Sequence, residues 1–250
     1  MKAQQFVKTA ALAAVTLGVI ILTGALGNSG RVQAHDDDDE ASLVQRGFEI
    51  APVPLNLEGK NRELVGLGSY FVNAVGDCNG CHTGGGPPNF NYAAGGNPYF
   101  GQKTKVDPTV YLSGGQDFGP VGTPTGASGY AGPHIISRNL TPDKTGRPEG
   151  GHTLQEFKQI MRHGTDFDHL HPTCTAAQLK QIEAGTQPFP NCIPTSPDNP
   201  ADGNVLQVMP WPTFANMTDH HLDAIYEYLS AIPCIEGPED PKDPLHNNCH

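Results

Sequence analysis

Basic side chains are scarce in this sequence of 250 residues. Lysine and arginine together number 15, against 26 aspartates and glutamates, so the formal net charge is −11 at pH 7. Nucleic-acid binding relies on clustered lysine and arginine that neutralise phosphates, so this deficit argues against DNA or RNA as a partner. The acidity instead favours a protein partner with a basic docking face.

Residues that favour regular structure are also in short supply. Only 37% of the sequence is hydrophobic, and its 30 glycines and 23 prolines interrupt helices and strands. These residues are densest over about 83–133, which predicts a long loop insertion containing short strands or turns. We expect its aromatic side chains to anchor it to a core: Tyr92, Tyr99, Phe100, Tyr111 and Phe118.

The one long apolar run lies at the N-terminus. Lys2 and Lys8 precede the run, residues 10–26, and Ala34 ends a small-residue cleavage site. This order is typical of a secretory signal peptide over residues 1–34 and predicts a periplasmic or otherwise exported protein. The alternative is an uncleaved anchor, because the run approaches the length of a short membrane span. We expect contact with a membrane only in that case.

An acidic block follows the predicted cleavage point. Residues 36–40 are four aspartates and a glutamate. They predict a solvated, disordered leader over residues 35–60, with metal capture by His35 and these carboxylates as the alternative.

The pentapeptide Cys78-Asn79-Gly80-Cys81-His82 has the C-x-x-C-H pattern of covalent haem attachment. Each thiol can form a thioether to one haem vinyl group, and the adjacent imidazole can then ligate the iron. The alternatives are a redox cysteine pair and half of a zinc site, but no second Cys or His pair of comparable spacing follows for zinc. The motif occurs once, so we predict one haem c held by Cys78, Cys81 and His82.

Four cysteines remain outside the motif. An even number in an exported protein indicates two disulfides, for which three pairings are possible. We favour Cys174 with Cys192 and Cys234 with Cys249, because each pair closes a short loop in a proline-rich stretch.

Three segments have apolar residues at helical spacing. The first, residues 61–75, ends at Gly76 and delivers the chain to Cys78. Its predicted apolar face consists of Leu64, Leu67, Phe71 and Ala74.

The other two predicted helices have recognisable N-terminal signals. Thr153 and Glu156 form a capping box, and that helix should end at Gly164. The last helix should begin after Thr218 and end before Pro233. All three helices are short and amphipathic, so each requires a packing partner.

Three groups of residues match one protein family. They are Gly68-Ser69-Tyr70-Phe71-Val72 leading to the haem motif, Asn139-Leu140-Thr141-Pro142-Asp143 followed by Met161-Arg162-His163-Gly164, and Met209-Pro210-Trp211-Pro212 with Met217-Thr218-Asp219. Over roughly residues 62–233 the sequence resembles class I c-type cytochromes. Within that family it is similar to single-haem periplasmic cytochromes and to the cytochrome domains of dehydrogenase-associated cytochromes.

This resemblance implies an all-α fold of short helices around one covalent haem. We assign the cytochrome c domain to residues 61–236, with an extra loop at about 172–205 and a C-terminal tail over 237–250 that should fray. The interval from His82 to Met209 is long for the family. The single haem motif favours a small carrier over a multi-haem dehydrogenase subunit.

The resemblance places the second axial ligand at Met209, because its Met-Pro pair precedes the last helix. A thioether opposite His82 raises the haem potential and closes the iron to oxygen or peroxide. The resemblance also implies that Arg138 and Asn139 meet a haem propionate. Tyr70 and Trp211 are candidates to line the pocket, Met161 is assigned to the core, and the competing ligands are Met217, His163, His169, His171, His220, His221 and His250.

Together these features predict an exported single-haem cytochrome that transfers electrons between redox partners through a His/Met-ligated iron. It would carry electrons without transforming a substrate. One alternative is a haem enzyme with an open distal site, such as a peroxidase or sulfur-compound oxidase. The other is a haem-bearing electron-transfer subunit of a dehydrogenase complex.

Overall fold

The computed structural model describes residues 29–84, 92–122, 124–195, 201–240 and 242–250, with side chains from residue 39 onward. The chain divides into two compact units, Met1–Leu43 and Val44–His250. Because the described residues begin at 29, the predicted signal peptide over residues 1–34 lies almost wholly outside them, as does the side chain of His35. No helix in the described ranges is long and apolar enough to span a membrane.

The described residues form eight α-helices and one two-stranded antiparallel sheet. The helices are α1 (Ser29–Ile50), α2 (Arg62–Tyr70), α3 (Cys78–Cys81), α4 (Pro148–Gly151), α5 (Leu154–His163), α6 (Ala176–Glu183), α7 (Trp211–Phe214) and α8 (Asp219–Leu229). The strands are β1 (Asp117–Pro120) and β2 (His134–Ile136), and a π-helical turn, Phe71–Val75, continues α2.

The predicted all-α fold is wrong. Besides helices, the described residues contain an antiparallel sheet, in which β1 pairs with β2 so that Asp117 lies opposite Ile136 and Pro120 opposite His134. The glycine- and proline-rich stretch after the haem motif cannot continue a helix, so it pairs its backbone groups in strands and turns instead. The short strands that we predicted within residues 83–133 are present as β1 and isolated bridges such as Tyr92 to Val106.

The aromatic anchors of that segment are only partly confirmed. Tyr111 is buried in the core, but Tyr99 and Phe100 are 60% and 63% exposed. Phe118 is also exposed, so most of these rings do not anchor the segment.

All three predicted helices are present, two of them with the N-terminal caps that we predicted. Asn61 accepts hydrogen bonds from the backbone N–H groups of Glu63 and Leu64, and Thr153 and Glu156 form a reciprocal capping box. Thr218 caps α8 by accepting from His221 N–H, and the helix ends at Leu229. These bonds satisfy N–H groups that have no partner within the first helical turn.

Two of the longer helices, α1 and α6, were not predicted, and neither were the single turns α3, α4 and α7. Residues 36–40, for which we expected a disordered leader, lie within α1. The expected extra loop at about 172–205 contains α6, whose N-terminus is a second capping box formed by Thr175 and Gln178.

Helix α2 packs closely against two neighbours through glycines. A methyl group on Gly66 would lie 2.7 Å from the Val44 carbonyl oxygen, and one on Gly68 would lie 1.9 Å from the Ala224 carbonyl oxygen. Ser69 reinforces the first crossing by donating to the Gly47 carbonyl at 2.7 Å. The absence of side chains at these two positions therefore lets α2 approach both the end of α1 and α8.

Both disulfides have the favoured pairing, Cys174–Cys192 and Cys234–Cys249. Two disulfides are consistent with an exported protein. The first lies in a small satellite core with Ile182.

The second disulfide fastens a tail that does not fray as predicted. Asn247 is 2% exposed and donates to the carbonyls of Thr141 and Pro142, each at 2.9 Å. Asn139 in turn donates to the carbonyls of Ile235 and Leu245. Asparagine side chains from both segments thus join the tail to residues 139–142.

We predict that Cys234→Ala with Cys249→Ala lowers the free energy of unfolding and frees the tail. The sequence separation is 15 residues, and a disulfide closing a loop of about 15 residues contributes roughly 3 kcal/mol. Denaturant unfolding measures this loss, and hydrogen exchange should become faster at residues 139–142. The matched control, Cys174→Ala with Cys192→Ala, should cost similar stability without changing exchange there. Unchanged exchange at 139–142 in the first variant would show that the disulfide does not hold the tail.

Candidate functional site

The haem motif forms a single helical turn. Cys78 and Cys81 begin and end α3, and His82 follows, with its backbone N–H donating to the Cys78 carbonyl at 2.8 Å. Residues separated by three and four positions share one face of a helix. The turn therefore gives the two thiols and the imidazole a common face.

The two intervening residues fasten this turn. Asn79 Oδ1 accepts from Thr83 Oγ1 at 2.5 Å and from the Leu112 N–H at 3.0 Å. A methyl group on Gly80 would lie 2.4 Å from Asp77 Oδ2, so no larger residue fits without movement of Asp77. The C-x-x-C-H pattern does not specify these two positions. Local packing explains why asparagine and glycine occupy them.

The His82 ring has a defined hydrogen-bond partner. Its Nδ1 lies 2.8 Å from the backbone carbonyl oxygen of Arg138. A carbonyl oxygen only accepts, so Nδ1 carries the proton and Nε2 keeps a free lone pair. Burial lowers the pKa of His82, the Arg138 guanidinium adds to this effect, and the hydrogen bond opposes it. A neutral imidazole with one nitrogen so oriented is the form that binds a metal.

A cavity of about 540 Å³ adjoins the motif. Its size lies within the range of about 300–1,000 Å³ typical of cofactor sites, and most of its lining is apolar. The lining includes Cys78, Cys81 and His82 from the motif, Phe157 and Met161 from α5, Met209, Phe214, Met217, and Ile225 and Leu229 from α8.

The two motif cysteines are free and both line the cavity. Burial, with a smaller contribution from the Asp77 carboxylate, raises the pKa of the Cys78 thiol to about 12. The same causes raise the pKa of Cys81. Reactive redox cysteines are thiolates, a form that this environment disfavours. The surroundings of the two thiols therefore do not favour the redox alternative.

Several possible second ligands line the same cavity. Met209 is partly buried and lines it, as do Met217, His171 and His221. Met161, predicted to be core, is buried and lines the cavity too. Four other histidines are not among the lining residues: His163, His169, His220 and His250.

The histidine-aspartate segment around residue 166 has a different role from metal binding. Asp166 and Asp168 form ion pairs with the Arg138 guanidinium at 2.5 and 3.0 Å. No group of three or more His, Cys, Asp or Glu side chains in the described residues is arranged to hold a metal ion. The two aspartates thus neutralise Arg138, which lines the cavity.

Three of the supporting roles that we predicted are not observed. Asn139 directs its side chain to Ile235, Leu245 and Thr141 and does not line the cavity. Tyr70 is also absent from the lining. Trp211 lies instead against Gly164, where a methyl group would be 2.3 Å from its Nε1. Packing of Trp211 on the end of α5 helps to fix the neighbouring Met209.

A ring of hydrogen bonds supports the approach to the motif. Tyr111 Oη donates to Asn73 Oδ1 at 2.5 Å, and Asn73 Nδ2 donates to Tyr228 Oη at 3.1 Å. The two hydroxyls are 2.9 Å apart, and because the Tyr111 proton is already used, Tyr228 is the donor between them. Asn73 lies in the π-helical turn that leads to Cys78. The ring therefore joins this turn to α8 and to the segment around Tyr111.

Glu149 is a site residue that the sequence did not reveal. It lines the cavity and is only 8% exposed. Its isolated position in a Pro-Glu-Gly-Gly stretch predicts a turn, and no local pattern signals that a carboxyl group there is buried.

No protein-family model, curated protein or solved structure matches this chain. The function must accordingly be argued from the chemistry of the site.

We predict that Tyr111→Phe is destabilising because it breaks two bonds of the buried ring. The Tyr228 hydroxyl loses its acceptor and Asn73 Oδ1 loses its donor, a loss of about 1–3 kcal/mol in the free energy of unfolding. The control is Tyr226→Phe, also affecting α8, whose hydroxyl makes one partly buried bond to the His152 carbonyl. Denaturant unfolding should show a smaller loss for this control. Equal losses in the free energy of unfolding would mean that the closed ring stabilises the protein no more than one partly buried hydrogen bond does.

Proposed function

We propose that this protein is an exported, periplasmic single-haem c-type cytochrome that transfers electrons between redox proteins. Cys78 and Cys81 would hold haem c through thioethers, with His82 and Met209 as axial ligands of the iron. The proposal keeps the motif resemblance to the class I family and drops its all-α fold.

The hydrogen bond from His82 to the Arg138 carbonyl carries the proposal. A metal-binding histidine usually donates its second ring N–H to a carbonyl or carboxylate, which fixes the tautomer and the ring orientation. His82 has this arrangement, with Nδ1 and the carbonyl oxygen 2.8 Å apart. It therefore has the form that an axial ligand requires.

The rest of the cavity suits the same cofactor. Two unpaired thiols and the imidazole come from one helical turn, and the remaining lining is largely apolar. A haem has a large apolar face that needs such a lining. Met209 lines the same cavity, and its thioether sulfur is a soft donor of the kind that ligates haem iron.

Each part of the chain has a defined task in this proposal. The bound haem would supply a reversible one-electron couple. The hydrogen bond to the Arg138 carbonyl would leave Nε2 of His82 free to bind the iron. The apolar side chains of α5 and α8 would exclude water. A Met209 thioether would favour the ferrous state and leave no vacant position for a substrate. These tasks are those of an electron carrier.

The surface provides a candidate docking face near the cavity. Val75 and Phe118 line the cavity and are also 60% and 39% exposed. An apolar rim on an acidic protein favours a redox partner that combines an apolar contact with a basic surround.

We predict that Cys78→Ala with Cys81→Ala abolishes covalent haem. The protein is produced in cells that assemble c-type cytochromes, and its intact mass is measured under denaturing conditions. The parent chain should gain the mass of one haem, and the same mass should show loss of residues 1–34. The control, Cys234→Ala with Cys249→Ala, also removes two cysteines and should keep its haem. Covalent haem in the first variant would refute the attachment site.

We predict that Met209→Ala removes the far-red charge-transfer band of methionine-ligated ferric haem and lowers the potential. The matched control is Met217→Ala, which changes a methionine of the same cavity and should retain the band. Loss of the band in Met217→Ala alone would move the ligand to Met217. A high-spin spectrum in the parent protein would instead favour a haem enzyme with an open distal site.

A further inference from the structure

Glu149 is a buried carboxyl group with no assigned role in electron transfer. It lies in α4, lines the cavity and is 8% exposed. Within the described part of the chain, its carboxyl group makes no hydrogen bond and no ion pair. Its backbone has φ 52° and ψ 54°, a left-handed conformation that is unusual for glutamate. The fold therefore holds a carboxyl group at the cavity without giving it a partner.

The charges around Glu149 leave it uncompensated. Arg138 is the nearby cation, but its guanidinium already pairs with Asp166 and Asp168. His152 follows on the same segment, with Nε2 4.0 Å from Asp168 Oδ1. Burial raises the pKa of Glu149, whereas His152 and Arg138 oppose that rise and the two aspartates add to it. Asp166 and Asp168 thus have a partner for their charge and Glu149 does not.

Glu149 and the haem motif share one cavity. Both line the same space, whose lining is mainly apolar. Charges in such an environment interact more strongly than in water, because the effective dielectric constant is low. A change of one unit in the charge of a bound cofactor must therefore alter the proton affinity of Glu149.

We propose that Glu149 takes up a proton when haem bound in this cavity is reduced, so that electron transfer by this protein is coupled to proton uptake. This inference rests on the proposed function. Bound haem would accept one electron from a donor protein, and Glu149 would accept one proton from the surrounding water, which forms an O–H bond on its carboxylate. On oxidation the electron would pass to the acceptor protein and the proton would return to water, so charge and atoms balance in each direction.

The physical reason is electrostatic. Reduction would add a negative charge to a cavity that already contains the Asp166 carboxylate, which makes a charged Glu149 carboxylate less favourable. Asp166 and Asp168 are instead paired with Arg138. His171 also lines the cavity, and burial lowers its pKa, which disfavours its charged form. Glu149 is thus the group best able to respond.

The first test is the midpoint potential as a function of pH. The parent protein should show a potential that falls as pH rises, with a slope approaching about 59 mV per pH unit, the one-electron equivalent of a tenfold change in proton activity. Glu149→Gln should flatten this slope. The control is Glu183→Gln, an exposed carboxylate of α6 outside the cavity lining, which should keep it. An equal slope in Glu149→Gln would overturn the inference.

A second measurement uses the unmodified chain, in case Glu149→Gln does not fold. A reduced-minus-oxidised infrared difference spectrum should show a protonated carboxyl C=O band gained on reduction. If the midpoint potential of the parent protein does not change with pH and this band is missing, the role of Glu149 is overturned but the proposed function is not. Absence of any covalent haem or reversible one-electron couple would overturn the proposed function and this inference together. The band must also be missing in folded Glu149→Gln if it belongs to Glu149.

Discussion

The hydrogen bond between His82 Nδ1 and the Arg138 carbonyl joins the two parts of the molecule on which the site depends. His82 belongs to the cysteine turn, and Arg138 follows strand β2. The backbone after Arg138 is held in turn by Asn139 and by the disulfide-fastened tail. The orientation of one imidazole ring therefore depends on contacts that reach the C-terminus, more than a hundred residues away along the chain.

A small number of hydrogen bonds and ion pairs hold the polar groups at the cavity in place. Arg138 uses its carbonyl to orient His82 and its guanidinium to bind Asp166 and Asp168, so one residue serves both the ligand and the charge balance. Tyr111, Tyr228 and Asn73 satisfy one another in a closed ring beside the motif. The Glu149 carboxyl group has no such partner, and an unpartnered carboxyl at a buried site is costly unless it is neutral or meets a ligand. That contrast is why we assign it a role.

Local chemistry determined what could be predicted from the sequence. Thr153 and Thr218 act within one helical turn, so their caps and the helices that follow were recognisable, whereas the Asn61 cap was not predicted. The predicted face of the first helix was less accurate, because the π-helical turn changes the spacing and Ala74 is exposed. Strand β2 and the burial of Glu149 depend on contacts between distant segments, which periodicity does not report. Helix α6 did have a local signal in Thr175 and Gln178, and glycine and proline on both sides obscured it.

The central claim is that this cavity binds one covalent haem with two protein ligands. Optical spectra of the purified protein, oxidised and reduced, test it most directly, because they report haem type, spin state and ligation together. The account predicts a c-type spectrum that is low-spin in both states, with the far-red methionine band in the oxidised protein. A protein without haem, or a high-spin spectrum with an open coordination position, would contradict it.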